Sequence, residues 1–191
     1  MSQIGLTFDL NEEMLQIIQS EFDPKKVVDA FAAATVRKSQ PEIEGIGKQI
    51  FGNYGRDLMK RTLELGERYV DRPYEVLKAA RSKGAIETFP SIPQRFLEIA
   101  YLSTQNMSTL AVEGSTTRNL VYSVPGADCL TFAALKDKCG EIVSGHLPCK
   151  HACLSLCDTL CKDMNLDVVV SMTASMPKDG YCRFALTRRA K

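Results

Sequence analysis

Hydrophobic side chains recur in steps of three and four through the first half of the chain, which is the spacing of helices that bury one face. Capping residues and prolines indicate where these helices begin. The predicted helices run from Asp9 or Asn11 to about Phe22, from Pro24, from Pro41 to about Tyr69, from Pro73 to Gly84, and from Pro93. The first half of the third helix contains several glycines that we expect to split or kink it: Gly45, Gly47, Gly52 and Gly55.

The pattern changes in the second half, where short β-branched runs alternate with two helices. Two hairpins are predicted, one from residues 108–113 and 118–124 around GSTT, the other from 167–175 and 181–187 around MPKDG. Between the hairpins, Asp128 is expected to cap a helix that stops near Gly140. Pro148 is expected to begin a second helix that reaches about Met164.

The order of these elements predicts the fold class. We expect an α+β protein, with a helical N-terminal half followed by an antiparallel sheet of two hairpins backed by helices. The helical region would cover residues 1–105 and the α+β region residues 106–191, packed as one globular unit. The helical half is expected to pack on the sheet or to build a homodimer.

Charge and composition narrow the classes of protein to which this chain could belong. The 191 residues include 24 basic and 23 acidic side chains, for a formal net charge of +1. These charges are interleaved, so the one-sided positive field that nucleic acid requires is missing and no nucleic-acid partner is expected. Neither a signal peptide nor a membrane span is predicted. Seven cysteines without a secretory signal then predict free thiols in a reducing compartment, and we expect a cytoplasmic protein.

Four cysteines follow one another in steps of four within CKHACLSLCDTLC, and we call them the cysteine ladder: Cys149, Cys153, Cys157 and Cys161. On an α-helix this spacing places the thiols on one slowly drifting stripe. Such a stripe is typical of a packed apolar seam, of a site with a reactive thiol, or of a metal site. The sequence leaves these three interpretations open.

A metal site would use neighbouring ladder thiols, because residues four apart on a helix lie within reach of one soft ion. The whole ladder is too long to share one ion, so a closed zinc site would need further ligands such as Cys129, Cys139 or Cys182. The cofactor is either none or a soft divalent or monovalent metal ion. The predicted ligands of such an ion are Cys149, Cys153, Cys157 and His146.

Cys149 is the candidate nucleophile on physical grounds. It lies in the predicted first turn of its helix, where the helix dipole lowers the pKa of a thiol. His146, in the loop before that helix, could fold back over its N-terminus. His151 is predicted to face away from Cys149, because two residues turn a helix by about 200°. Asp158 could serve as a base or as a metal ligand.

The C-terminal third, from about Tyr122 to Arg188, resembles the L-2-amino-thiazoline-4-carboxylic acid hydrolase-like family. The shared pattern is YSVPGADC before a helix, a second cysteine-bearing helix with C-D, and a glycine turn followed by C-x-F in DGYCRF. The resemblance implies a hydrolase that opens a small cyclic compound of the thiazoline or amidine type. The candidate catalytic residues are Cys149, His151, Cys129, Asp158 and Cys182.

A competing hypothesis is a non-catalytic small-molecule-binding module. The chain also resembles vinyl-reductase-type small-molecule-binding domains, which end in a glycine turn followed by C-x-F. Such domains often carry zinc ligands on the preceding strand, whereas SMTASM has neither an acid nor a thiol. An apolar pocket of this kind could be lined by Met164, Met172 and Met176. A third hypothesis is a thiol-rich metal-binding or redox-sensing protein.

Overall fold

A computed structural model describes residues 11–70, 78, 111–116, 118–126 and 129–189. Within these ranges the fold is α+β, as predicted: N-terminal helices are followed by a four-stranded antiparallel sheet that helices back. The predicted helices from Pro73 and Pro93, the first residues of the predicted 108–113 run, and Asp128 lie outside the described residues.

Three helices form the described N-terminal part, and each begins where its sequence provides a cap. They are α1 (Glu12–Glu21), α2 (Pro24–Ala34) and α3 (Gln40–Tyr69). The side chain of Asn11 accepts a hydrogen bond from a backbone N–H in the first turn of α1, and Asp23 does the same for α2. At the start of α3 the backbone N–H of Ser39 donates to the Glu42 carboxylate.

Two hairpins build the sheet, and two helices connect them. The elements are β1 (Ala111–Ser115), β2 (Asn119–Pro125), α4 (Leu130–Gly145), α5 (Lys150–Asp163), β3 (Val168–Ala174), α6 (Met176–Asp179) and β4 (Tyr181–Arg188). The strands lie in the order β1-β2-β4-β3, and all neighbours pair antiparallel. The predicted turn MPKDG contains the single turn of α6, and Gly180 then reverses the chain with a φ of 77°, a value that favours glycine.

α4 differs from its prediction at both ends. Its N-cap is Cys129, whose sulfur accepts a hydrogen bond from the Phe132 N–H at 3.5 Å, so the expected cap at Asp128 is wrong. The helix also continues beyond Gly140 to Gly145. Gly140 leaves helical geometry at φ 77° and ψ 177°, so it kinks the helix where a stop was predicted.

The glycines of α3 do not split it, so that expectation is wrong. Several lie against α5 instead. A Cβ added to Gly47 would lie 2.8 Å from the Cβ of Pro148, and one added to Gly55 would lie 2.7 Å from the carbonyl carbon of Ala152. Because Gly47 and Gly55 have no side chains, α3 and α5 approach each other closely. We call this line of contact the glycine seam.

One face of the sheet packs on α5, which therefore lies between the sheet and α3. Tyr122 of β2 is opposite Phe184 of β4, and their rings stack with centroids 5.2 Å apart. The Tyr122 hydroxyl is 3.1 Å from the sulfur of Cys157, a hydrogen bond that joins β2 to α5 inside the core. α1 and α2 also pack against α3, and α2 contacts α4. No helix in the described part of the chain is long and apolar enough to cross a membrane.

Candidate functional site

Sulfur atoms from separate stretches of the chain line one largely enclosed cavity of about 30 Å³, which we call the sulfur-lined cavity. Its sulfur atoms belong to Cys129, Cys149, Cys153, Met172, Met176 and Cys182. The remaining wall is formed by Val124, Thr131, Phe132, Leu147, Lys150, Ala152 and Phe184. Nearly all of the exposed cavity surface is apolar, and Lys150 is the one charged residue among these described lining residues.

A close contact between two glycines brings Cys129 next to Cys182. The backbone N–H of Gly126 donates to the carbonyl oxygen of Gly180 at 2.9 Å. A Cβ added to Gly126 would lie 3.3 Å from the Gly180 carbonyl carbon and closer still to the sulfur of Met176. Cys129 follows one of these glycines in a tight turn, and Cys182 follows the other in β4. The contact therefore places both thiols in the same cavity wall.

The start of α5 provides the opposite wall. Cys149 is the N-cap of this helix and Cys153 lies one turn further on, so both thiols face the same side. The preceding Leu147 has a φ of 51° and turns the chain from α4 into α5. Pro148 lies against Gly47, which fixes this end of α5 on α3. The cavity wall is thus held by the same seam that packs the two long helices.

The other half of the cysteine ladder lies in the core. A step of four residues turns a helix by about 40° beyond a full circle, so the stripe drifts away from the cavity as α5 proceeds. Cys157 is fully buried against Tyr122, and Cys161 is 2% exposed within the hydrophobic cluster. The second half of the ladder is therefore a packed seam, which is one of the three predicted roles, whereas its first half lines the cavity.

Burial keeps the cavity thiols protonated. It raises the pKa of Cys149 and Cys153 well above the ordinary value, and the neighbouring thiols Cys129 and Cys182 raise both further. Burial also raises the pKa of Cys129, and it raises that of Cys182 to about 11 although a backbone hydrogen bond opposes this. The prediction that the helix dipole lowers the pKa of Cys149 is wrong, because that thiol is only 7% exposed and burial outweighs the dipole.

The candidate acid–base groups lie outside the cavity. His151 Nε2 is 3.1 Å from the Glu44 carboxylate on α3, and Lys150 Nζ is 2.9 Å from the same oxygen. Asp158 forms an ion pair with Lys162 at 2.6 Å on the outer side of α5. Of the predicted catalytic set, the structure thus gathers the three thiols but not the imidazole or the carboxylate.

The predicted metal ligands are not brought together as a set. Cys149 and Cys153 line the cavity, Cys157 lies in the core, and His146 is exposed at the end of α4. In the described ranges, no group of three or more His, Cys, Asp or Glu side chains is arranged to hold a metal ion. Met172 and Met176 line the cavity as predicted for a ligand pocket, whereas Met164 is buried in the core.

Leu147 and Lys150 are among the lining residues that the sequence did not indicate. Leu147 lies in a loop, where hydrophobic periodicity gives no signal. The ammonium group of Lys150 pairs with Glu44, while its aliphatic chain borders the cavity. The residue type alone does not predict that a lysine lines an apolar cavity in this way.

In the folded, reduced protein, iodoacetamide is expected to modify Cys182 at least about 100-fold more slowly than a free cysteine near neutral pH. The thiolate is the nucleophile, and raising the pKa from 9.0 to about 11 lowers its population by about that factor. Cys149 and Cys153 should react more slowly still. Mass spectrometry of peptides over time measures these rates, and labelling in urea is the control. Fast labelling of Cys149 in the folded protein would contradict its burial and make it an activated nucleophile.

This chain matches no protein-family model, no curated protein and no solved structure. The fold and the cavity place this chain in a structural class, the α+β proteins with an apolar, sulfur-lined cavity between the sheet and a central helix. The two family resemblances inferred from the sequence stay predictions.

Proposed function

We propose that the protein is a non-catalytic binding module that holds a small ligand in the sulfur-lined cavity. The observation that supports this function is the convergence of four thiols and two thioethers on one enclosed apolar space. Natural ligand sites are enclosed and mostly apolar, with few polar groups. The resemblance to vinyl-reductase-type small-molecule-binding domains points in the same direction.

The volume limits what the cavity accepts without rearrangement. About 30 Å³ accommodates a guest of very few heavy atoms, far smaller than an ordinary organic ligand. A larger guest would require wall residues to move. Met172 and Met176 are suited to this, because methionine is unbranched and flexible and both lie on the sheet side of the cavity.

The hydrolase hypothesis has less support from the geometry. Opening a ring by water requires an activated nucleophile and a proton donor at the same place. The thiols at the cavity have raised pKa values because of burial, and His151 and Asp158 are paired with other residues outside it. A thiazoline-sized ring also exceeds the volume of the closed cavity.

A titration with small apolar probes tests the proposed function. Xenon and dimethyl sulfide are expected to produce saturable shifts of the backbone amide NMR signals of lining residues, since dry apolar cavities take up such guests. The variant Cys153→Leu, which fills the cavity, should abolish these shifts. Cys139→Ser changes a half-buried thiol of α4 that is not a lining residue, and it should leave them unchanged.

Saturable shifts at the lining residues that disappear in Cys153→Leu would support the binding module. Shifts confined to surface residues, or a folded Cys153→Leu protein that responds like the unchanged chain, would contradict it. The NMR spectrum of each variant without probe shows whether it is folded. If Cys153→Leu does not fold, Cys182→Leu fills the cavity from the β4 wall and replaces it.

A further inference from the structure

We infer that the ligand of the sulfur-lined cavity is a soft monovalent metal ion, Cu(I), held by at least two of the cavity thiols with Cys153 as the common member. This inference rests on the proposed function and names its ligand. It differs from the metal site predicted from the ladder, because Cys157 and His146 are replaced by thiols from α4 and β4.

The donor atoms select the kind of ion. The side-chain donor atoms of the described residues that line the cavity are all sulfur, apart from the Thr131 hydroxyl and the Lys150 amine. Thiolate and thioether sulfur favour Cu(I), whereas Mg²⁺, Ca²⁺ and Mn²⁺ prefer oxygen. Met172 and Met176 add neutral donors that a soft ion accepts and a hard ion does not.

Cys153 is the thiol in the best position to be shared. It lies on α5 one turn beyond Cys149, and it lines the same cavity as Cys129 and Cys182 of the opposite wall. A pair drawn from the two walls would bridge the cavity. A pair drawn from α5 alone would leave the β4 wall unused.

A low coordination number fits both the volume and the arrangement. A space of about 30 Å³ holds a single ion but not an ordinary organic ligand. No three His, Cys, Asp or Glu donors are preset around one point in the described residues, which is what a closed tetrahedral zinc site requires. An ion with two sulfur ligands needs only two side chains to turn inward.

Charge also favours a monovalent ion. Two thiolates with Cu(I) carry one net negative charge, whereas four thiolates with Zn²⁺ carry two, and burying charge in apolar surroundings is costly. Lys150 is the one charged lining residue in the described chain, and its Nζ is already 2.9 Å from the Glu44 carboxylate. Because so little positive charge is available to compensate a buried complex, the one with the smaller net charge is favoured.

Binding is a proton exchange without oxidation or reduction. Each new Cu–S bond replaces an S–H bond, and the two protons pass to the solvent while copper stays Cu(I). Because binding releases protons, the affinity is expected to fall as the pH is lowered.

The test is a titration of the reduced chain with Cu(I) alone, without oxygen, in competition with the chelator bicinchoninate. We expect one Cu(I) per chain, sulfur-only scattering in X-ray absorption, and release of about two protons per ion. Cys153→Ala removes a ligand, so it should weaken binding by more than the roughly 10–100-fold that loss of an outer-shell partner causes. Cys157→Ala, which removes the next ladder thiol outside the cavity, should bind Cu(I) like the unchanged chain.

Equal losses of Cu(I) affinity in Cys153→Ala and Cys157→Ala would overturn the inference. So would a site that holds Zn²⁺ with four sulfur ligands in place of Cu(I). If Cys153→Ala does not fold, Cys153→Ser, which keeps the size of the side chain but removes the sulfur donor, takes its place. A chain that takes up xenon in the cavity but does not retain Cu(I) would refute the choice of ion and leave the binding module standing. A chain that takes up neither would refute both.

Discussion

Replacing Gly55 with alanine is expected to lower the free energy of unfolding by about 3 kcal/mol, at the upper end for overpacked cores. The added Cβ would lie 2.7 Å from the carbonyl carbon of Ala152 and 2.9 Å from its Cα. These are backbone atoms of α5, so no side chain can turn aside to relieve the clash. The glycine seam would have to open, and the cavity wall on α5 would move with it. Urea unfolding monitored by circular dichroism measures the change.

Two other glycines of α3 provide matched controls. Gly45 has no atom within 4 Å of an added Cβ, so Gly45→Ala is expected to raise stability by about 0.5–1 kcal/mol through helix propensity alone. The stability of Gly52→Ala should lie between those of the other two variants. Its added Cβ would lie 3.3 Å from the Ser155 hydroxyl, and that group can rotate away. If Gly55→Ala were as mild as Gly45→Ala, α3 and α5 would not be in contact at this point.

Raising the pH from about 9 to 11 is expected to destabilise the fold by on the order of 4 kcal/mol through Cys157 and Cys182 alone. Burial raises the pKa of these thiols from 9.0 to about 12 and about 11. A group whose pKa is higher in the folded state stabilises the protein fully below its unfolded pKa. That contribution is lost as the pH rises towards the folded pKa, since the unfolded chain then gives up its proton first. Urea unfolding at several pH values measures the loss.

A variant separates the thiols from other groups that titrate in this range. Cys157→Ala removes one buried thiol, so its stability should decline with pH less steeply, by about 1 kcal/mol per pH unit in the middle of the range. Cys139→Ser changes a thiol outside the core cluster and should reduce the slope less. A stability that stays constant between pH 9 and 11 would show that the thiols are accessible to water in the folded protein.

The elements were predictable because their signals are local. Asn11 caps α1 and Pro24 opens α2, and each of these signals acts within one turn of helix. The glycines of α3 carried an ambiguous signal. A glycine permits either a kink or a close neighbour, and only the position of α5 decides between them.

The candidate site was predictable in its residue types but not in its grouping. The glycine turn before Cys182 and the segment before Cys129 were both singled out, yet the contact between Gly126 and Gly180 that joins them is a tertiary one. The pKa of Cys149 could not be foreseen for the same reason, because the helix dipole is local whereas burial depends on the whole fold. The cytoplasmic location, the homodimer and the hydrolase activity stay predictions.

The most direct test of the central claim is the anomalous scattering of sulfur from a crystal of the reduced protein, recorded at long wavelength. Six sulfur peaks are expected around one cavity, four from Cys129, Cys149, Cys153 and Cys182 and two from Met172 and Met176. The peak for Cys157 should lie outside this group, 3.1 Å from the Tyr122 hydroxyl. Thiols that were dispersed, each enclosed separately by hydrocarbon, would contradict the account.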